Sequence, residues 1–415
     1  MLFSDTPRAV RAWNFVGLIL LTVNLRAAIT GVSPVLDDVQ AAFGLSGVEV
    51  GVLTTLPVLC LGVFASLAPP LARRIGTEAA VAVSLGLTTA GILLRVVPST
   101  TALFAGTTLA GAGIALGNVL VPAVVKRDFA ERVGTLTGLA MMLMAVSGAV
   151  AAGTAVPLDD AAGWRVALAV WAVPSLIGMA VWGPPALRGR RARVPAMQPA
   201  FTGGSLLRSP PAWAVAVFLG VVSLMFYVLV AWLPGIMRDR GYSAAEAGGM
   251  VSVMLTIGIP LGFLVPVAAA RLRHQGPLVI GVCAAKVVGL GGILLAPDAG
   301  WVWISVLGLA TGSAFPLAIT LLSLRSPNPS VAARLSGMAQ TGGYLVAGAG
   351  PLAVGVLHGA TGGWGVPLLL LLALVVPETV AGLLAARPRH VTRGDLASAA
   401  PRAPRPAVLS DSSGG

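Results

Sequence analysis

The chain of 415 residues is 56% hydrophobic and only 10% charged, against about 25% charged in an ordinary soluble protein. That deficit, with a mean hydropathy of +0.91, excludes a water-soluble globular fold and predicts an all-α integral membrane protein. Bases exceed acids, 27 to 15, for a net charge of +12, so the positions of the bases must decide between nucleic acid, a lipid surface and membrane orientation.

A crossing helix needs about 20 mostly apolar residues. After a short N-terminal segment, 1–11, the first half (12–183) supplies such runs at 12–36, 48–70, 77–97, 100–125, 133–157 and 164–183. The first run is too long for a signal peptide and contains Asn24 and Arg26, so it reads as a retained helix. Residues 184–211 carry Arg188, Arg190, Arg191, Arg193 and Arg208 among prolines and read as a cytoplasmic linker. The second half (212–386) repeats the pattern at 212–235, 244–269, 277–296, 300–324, 331–357 and 363–386. From 387 to 415 the chain is rich in Arg, Pro, Ala and Ser without apolar periodicity, a composition that predicts a disordered basic tail suited to anionic lipid.

Of the 27 bases, all but Arg26, Lys286, Arg95, Arg165, Arg238 and Arg240 then fall on one side. The positive-inside rule makes that side cytoplasmic and puts both termini there. Asp37, Asp38, Glu49, Asp159, Asp160, Asp239, Glu246 and Asp298 fall on the other. The basicity is thus a topology signal and not a nucleic-acid surface. Cys60 and Cys283 lie far apart in apolar runs, and His274, His358 and His390 sit at segment ends or in the tail, so no metal or cofactor is expected.

The halves match each other. LSGVEVGVL at 45–53 pairs with YSAAEAGGM at 242–250, and LAGAGIALGNVLVPAVV at 109–125 with LATGSAFPLAITLLSLR at 309–325. LTGLA from Leu136 pairs with LSGMA from Leu335, and AGW ending at Trp164 with GGW ending at Trp364. Two parallel six-span repeats place a binding site at their interface near mid-bilayer.

NLRAAITGVSPVL, GVLTTLPVLCLGVFASLAPPLARRIG, GAGIALGNVLVPAVVKRDF and RVGTLTGLA, on this twelve-span frame, resemble the cyanate permease and 2-nitroimidazole transporter family of the major facilitator superfamily from about residue 12 to 385. The resemblance implies two six-helix bundles in a bacterial inner membrane, a monomer, and alternating-access transport of a small anionic or polar nitrogen-containing solute. Coupling would be to a proton or a counter-anion. The superfamily's usual Asp between the second and third helices is missing from PPLARRIG, which keeps Arg73, Arg74 and Gly76, so a gate built on that Asp is not expected. Arg73 and Arg74, with Lys126, Arg127 and Asp128, are gate candidates. The last three read equally as a helix-end charge cluster.

Arg26 is the most informative residue. A charge at the centre of a crossing helix costs about 2.5–3.5 kcal/mol and so needs a partner or a function. Thr22, Arg26, Thr30 and Ser33 recur at helical spacing and form one polar stripe. A guanidinium offers five fixed donors, suits planar anions and does not release its proton. The alternative is a structural Arg satisfied by helix-end carbonyls or Asn24. Asn118 either binds solute or bonds a neighbouring backbone where Gly111, Gly113 and Gly117 allow close approach. Ser223 with Tyr227, and Ser336 with Gln340 and Tyr344, make comparable polar faces in the second half. Lys286 and Glu378, the other in-span charges, read as an internal ion pair, or as a proton-coupling site on Glu378. Trp171, Trp182, Trp232, Trp301 and Trp303 read mainly as an aromatic belt.

An enzyme would need grouped acids, histidines or a nucleophile, a channel would not need the repeat, and a scaffold would not need Arg26 at depth. The main rival is a multidrug or cationic-compound exporter of the same fold. Such exporters usually carry an acid in the cavity, whereas the cavity-forming spans here have no mid-membrane Asp or Glu, which predicts a positive site.

Overall fold

The computed structural model describes residues 8–191 and 206–389. Among them every regular element is helical. In chain order these are α1 (Arg8–Thr30), α2 (Leu36–Phe43), α3 (Gly47–Ala65), α4 (Ala68–Ile75), α5 (Thr77–Arg95), α6 (Thr100–Asp128), α7 (Val133–Ala162), α8 (Trp164–Ala169), α9 (Ala172–Arg191), α10 (Pro210–Asp239), α11 (Ala244–Arg271), α12 (Gly276–Leu295), α13 (Gly300–Arg325), α14 (Pro329–Thr361) and α15 (Gly365–Ala385). The described residues offer eleven helical spans long and apolar enough to cross a membrane, and twelve when α3 and α4, which meet at 53°, count as one. Pro69 and Pro70 open α4 and cannot donate to the preceding turn, which is why the second span breaks there.

The two pieces of repeated sequence turn out to be the same local device. Ser46 accepts from the Glu49 amide at 3.3 Å while Glu49 accepts from the Ser46 amide at 2.8 Å. Ser243 and Glu246 do likewise at 3.2 and 2.9 Å. Both are capping boxes that start α3 and α11. The AGW and GGW repeats also both stop a helix at a glycine of positive φ, Gly163 (φ 83) after α7 and, one position earlier in the repeat, Gly362 (φ 67) after α14, of which only Gly362 is left-handed helical.

Helices α1, α3 and α5 to α9 pack chiefly on one another, as do α10 to α15. The two sets meet along α7 against α11 and α3 against α14. These contacts are tight at the end of the molecule that carries Arg73, Arg127 and Arg334. A Cβ added at Gly138 would lie 2.7 Å from the Phe263 carbonyl, and one at Gly337 would lie 2.9 Å from the Pro69 ring. Toward the opposite end Gly51, Gly153 and Gly248 have nothing within 4 Å of an added Cβ. The halves therefore close at the basic end and part at the other. Gly138→Leu is expected to disfavour this closure, read as slower labelling of an exposed Ser33→Cys site by a membrane-impermeant maleimide. Unchanged labelling would show that the Gly138 contact does not set the state.

Several expected boundaries shift. The first helix starts at Arg8 rather than residue 12, and α9 runs on to Arg191, into the stretch read as linker, where ALRGRR supplies good helix formers. The rest of that linker, 192–205, and the tail from residue 390 lie outside the described residues. Trp182 does not belong to a lipid-facing belt. It is buried (2% exposed), and its indole donates to the Gly17 carbonyl at 3.0 Å, joining α9 to α1.

Candidate solute-binding site

Arg26 stands in the last turn of α1, four residues before the regular helix ends, yet beside the middle of α7. Its stem packs on Gly148, where an added Cβ would sit 2.8 Å from the Arg26 Cγ. Thr30, one turn on, donates to the Gly148 carbonyl at 2.9 Å. Gly148 thus makes room for Arg26, a role the sequence did not disclose because glycines are so frequent in the chain. Gly148→Val is expected to raise the half-saturating solute concentration about 10-fold through overpacking, measured as concentration-dependent uptake, with Gly148→Ala intermediate. An unchanged value would deny Gly148 this role.

The guanidinium itself is half-buried and makes no hydrogen bond or ion pair among the described residues. The reading in which helix-end carbonyls satisfy it is therefore not what the structure shows. That task falls to Arg95, which the sequence placed among the outer bases. Arg95 is 3% exposed, and its Nη1 donates to the Ala28 carbonyl at 2.8 Å, where α1 runs out of amide donors.

Tyr227 of α10 and Tyr344 of α14 lie within electrostatic reach of Arg26 and of each other, although they belong to the other half of the chain. Tyr344 is buried and Tyr227 half-buried. Gln340, one turn before Tyr344, donates to Ser336 Oγ at 2.7 Å and across the halves to the Asn118 carbonyl at 3.4 Å. The Asn118 side-chain amide and both tyrosine hydroxyls find no partner among the described residues. Ser223, one turn from Tyr227, keeps a buried hydroxyl without a partner among the described residues. Arg26, Tyr227 and Tyr344 thus lie within electrostatic reach of one another, with Gln340 one turn from Tyr344 and bonded to the Asn118 main chain.

Asn24 does not join them. Two residues from Arg26 it points to a different side of α1, is 4% exposed, and donates back to the Leu20 carbonyl at 2.6 Å. Thr30 touches the group through α7, with its hydroxyl committed to backbone.

The remaining candidates sit elsewhere. Lys286 of α12 and Glu378 of α15 form an ion pair at 2.5 Å with both side chains fully buried. The Met225 sulfur of α10 lies 3.9 Å from the Lys286 ammonium, and Glu378 Oε2 has no partner among the described residues. Arg127 binds Glu78 at 2.5 Å and Asp128 at 2.6 Å, so this cluster ties α5 to α6 inside the first half and does not bridge the halves. Lys126 is half-buried beside it. At the same end of the second half Arg325, on α13 and paired in the repeat with Val125, donates to Gln275 and to the Ala385 carbonyl at 2.7 Å. Arg73 and Arg74 are exposed on α4 and line two different grooves.

Two helical repeats enclosing a polar, positively charged centre define a membrane transporter. The Major Facilitator Superfamily sequence model matches residues 18–351. The 2-nitroimidazole transporter of Escherichia coli (strain K12) is 36% identical over 90% of this chain and 95% of its own. The cyanate transport protein CynX of the same organism is 31% identical over 84% and 90%. An uncharacterized transporter of Bacillus subtilis (strain 168), YycB, is 38% identical over 92% and 96%. Among solved structures, the E. coli fucose:proton symporter superposes with a TM-score of 0.67 at 14% identity, over 92% of this chain and 99% of the other. The chain belongs to the Major Facilitator Superfamily, within its cyanate permease and 2-nitroimidazole transporter family.

Proposed function

We propose that this protein carries a small planar anion, or a polar nitrogen-containing solute of similar shape, across a bacterial inner membrane by alternating access. One observation carries the reading: the half-buried guanidinium of Arg26 has no partner among the described residues and lies within electrostatic reach of two tyrosines from the opposite half. Arg26 holds the solute's charge-bearing edge by paired hydrogen bonds. Tyr227, Tyr344 and the Asn118 amide supply further contacts, and Gln340 ties the halves beside them. The names of the E. coli relatives, cyanate and 2-nitroimidazole transporters, support small, flat, electron-rich solutes. A cationic-compound exporter is disfavoured by the positive charge at the centre.

The basic end faces the cytoplasm, by the placement of the bases, so the parted end opens outward. A guanidinium is no proton carrier, so the solute's charge is balanced either by a proton travelling with it or by a counter-anion moving the other way. Lys286 and Glu378 serve the fold of the second half. The test is a proteoliposome flux screen with labelled cyanate, a nitroimidazole and small aromatic carboxylates, with and without a pH gradient. Saturable flux of at least one of them supports the reading. Efflux of cationic dyes with no flux of these solutes would overturn it.

A further inference from the structure

Arg95 ends α5 at the end of the first half opposite the basic one, and no acid pairs with it among the described residues. It is 3% exposed, and its buried Nε has no hydrogen-bond partner among those residues. A buried charge without a counter-charge is costly and asks for a function. The backbone beneath it is tightly held: Gly91 and Gly106 let α5 and α6 touch, and a Cβ added at Gly106 would lie 2.6 Å from the Arg95 amide nitrogen. From there the side chain crosses to the last turn of α1. The amides of Gly31 and Val32 go to the Ala27 and Ile29 carbonyls, which leaves the Ala28 carbonyl between them to Arg95 Nη1. Capping alone does not need a charge. At the end of α11 the neutral amide of Gln275 serves the Ala269 and Leu272 carbonyls at 3.0 and 2.9 Å.

The turn that Arg95 caps is the one that carries Arg26. A helix end of this kind bears about half a negative charge, which repels an anion brought to Arg26. Ala28 follows Arg26 by two residues, about 200° of helical rotation, so Arg95 meets α1 on the opposite face, with about 10–12 Å of helix between the two guanidinium groups. At that range through protein a unit charge still changes the occupancy of an ion several-fold. We propose that Arg95 is a specificity-determining residue of the solute site: its charge cancels the negative end of α1 and holds the potential at Arg26 positive, so that anions are preferred to cations there. The inference rests on Arg26 being the binding charge. Arg95 touches no solute and acts through α1.

Thiol probes of opposite charge read this field. In purified full-length protein whose two buried cysteines, Cys60 and Cys283, are replaced by Ala, an Arg26→Cys thiol is labelled with an anionic (sulfonatoethyl) or a cationic (trimethylammonioethyl) methanethiosulfonate. The ratio of the two rates reports the local potential, because a change in thiol reactivity common to both cancels. Adding Arg95→Met should lower the anion-to-cation ratio about 10-fold. Arg95→Gln keeps a donor for the Ala28 carbonyl and loses the charge, so it should lower the ratio as far. Arg95→Lys keeps the charge and should stay within about 2-fold of the parent. The Gln and Lys variants keep the test decisive if the Met variant folds poorly. At Ser252→Cys, an exposed position on α11 of the second half, the ratio should not respond to any of them. A ratio unchanged by the Gln variant, a fall as large with Lys as with Gln, or an equal fall at Ser252→Cys would each overturn the proposal. No transported solute enters the measurement, so its outcome is separate from that of the flux screen. Flux of cyanate without this field effect would leave the role of Arg26 standing and remove that of Arg95.

Discussion

Proteoliposomes carrying the Arg26→Gln protein are expected to move the solute about 100-fold more slowly than wild type, because removing one member of a desolvated charge pair costs several kcal/mol. Gln fills similar space and keeps two donors, so packing against Gly148 survives while the charge and the five-donor fork are lost. Arg26→Lys keeps the charge on a single-point ammonium and should recover only part of the rate. If charge alone mattered, Lys would restore full transport. If Arg26 were structural, the Gln variant would lose thermal stability along with flux. We expect the reverse, an unchanged or higher unfolding midpoint, because in the empty protein the guanidinium has no described partner and its burial is a cost that Gln relieves. Full transport by Arg26→Gln would remove this residue from the mechanism.

The second large effect concerns Lys286 and Glu378. Glu378→Gln should destabilise the protein by about 3–5 kcal/mol, because it leaves a fully buried ammonium without its counter-charge. The Lys286→Met/Glu378→Leu pair should recover most of that loss, since two apolar side chains fill the space beside Met225 without desolvating charge. Thermal unfolding in detergent, compared across the two single variants and the pair, gives the coupling energy directly. The pair should also transport at near wild-type rate with the same response to a pH gradient. A stable double variant that had lost its pH-gradient response would instead make Glu378 the coupling carboxylate. The geometry favours the structural role: the ion pair is sealed between α12 and α15, with no exposed side-chain surface on either partner.

Much of the frame was legible in the chain. Apolar runs gave the spans, and Ser46/Glu49 and Ser243/Glu246 marked equivalent helix starts in the two halves, because a capping box is a local device written in four consecutive residues. Arg26 was legible for a related reason: a lone base in an apolar run is costly wherever the rest of the chain goes. Asn24 misled because it shares the run with Arg26, and helical phase turned it to another side. Arg95 misled because a base at a span end looks like a loop base until its carbonyl acceptor is in view. Trp182 sat near a span end and was read with the interfacial aromatics, whereas its indole is spent on the Gly17 carbonyl.

The sequence by itself determined that this is a twelve-span, two-repeat membrane protein with a lone base, Arg26, inside its first span, since hydropathy and internal repetition follow from local composition and the bilayer. Only the tertiary structure decided what that charge meets. Arg26 lies within electrostatic reach of Tyr227 and Tyr344 of the other half, Arg73 within that of Arg334, and Lys286 and Glu378 pair in the core. Each of these pairs joins residues far apart in the chain, and their proximity depends on how separate helices pack, which no local pattern encodes.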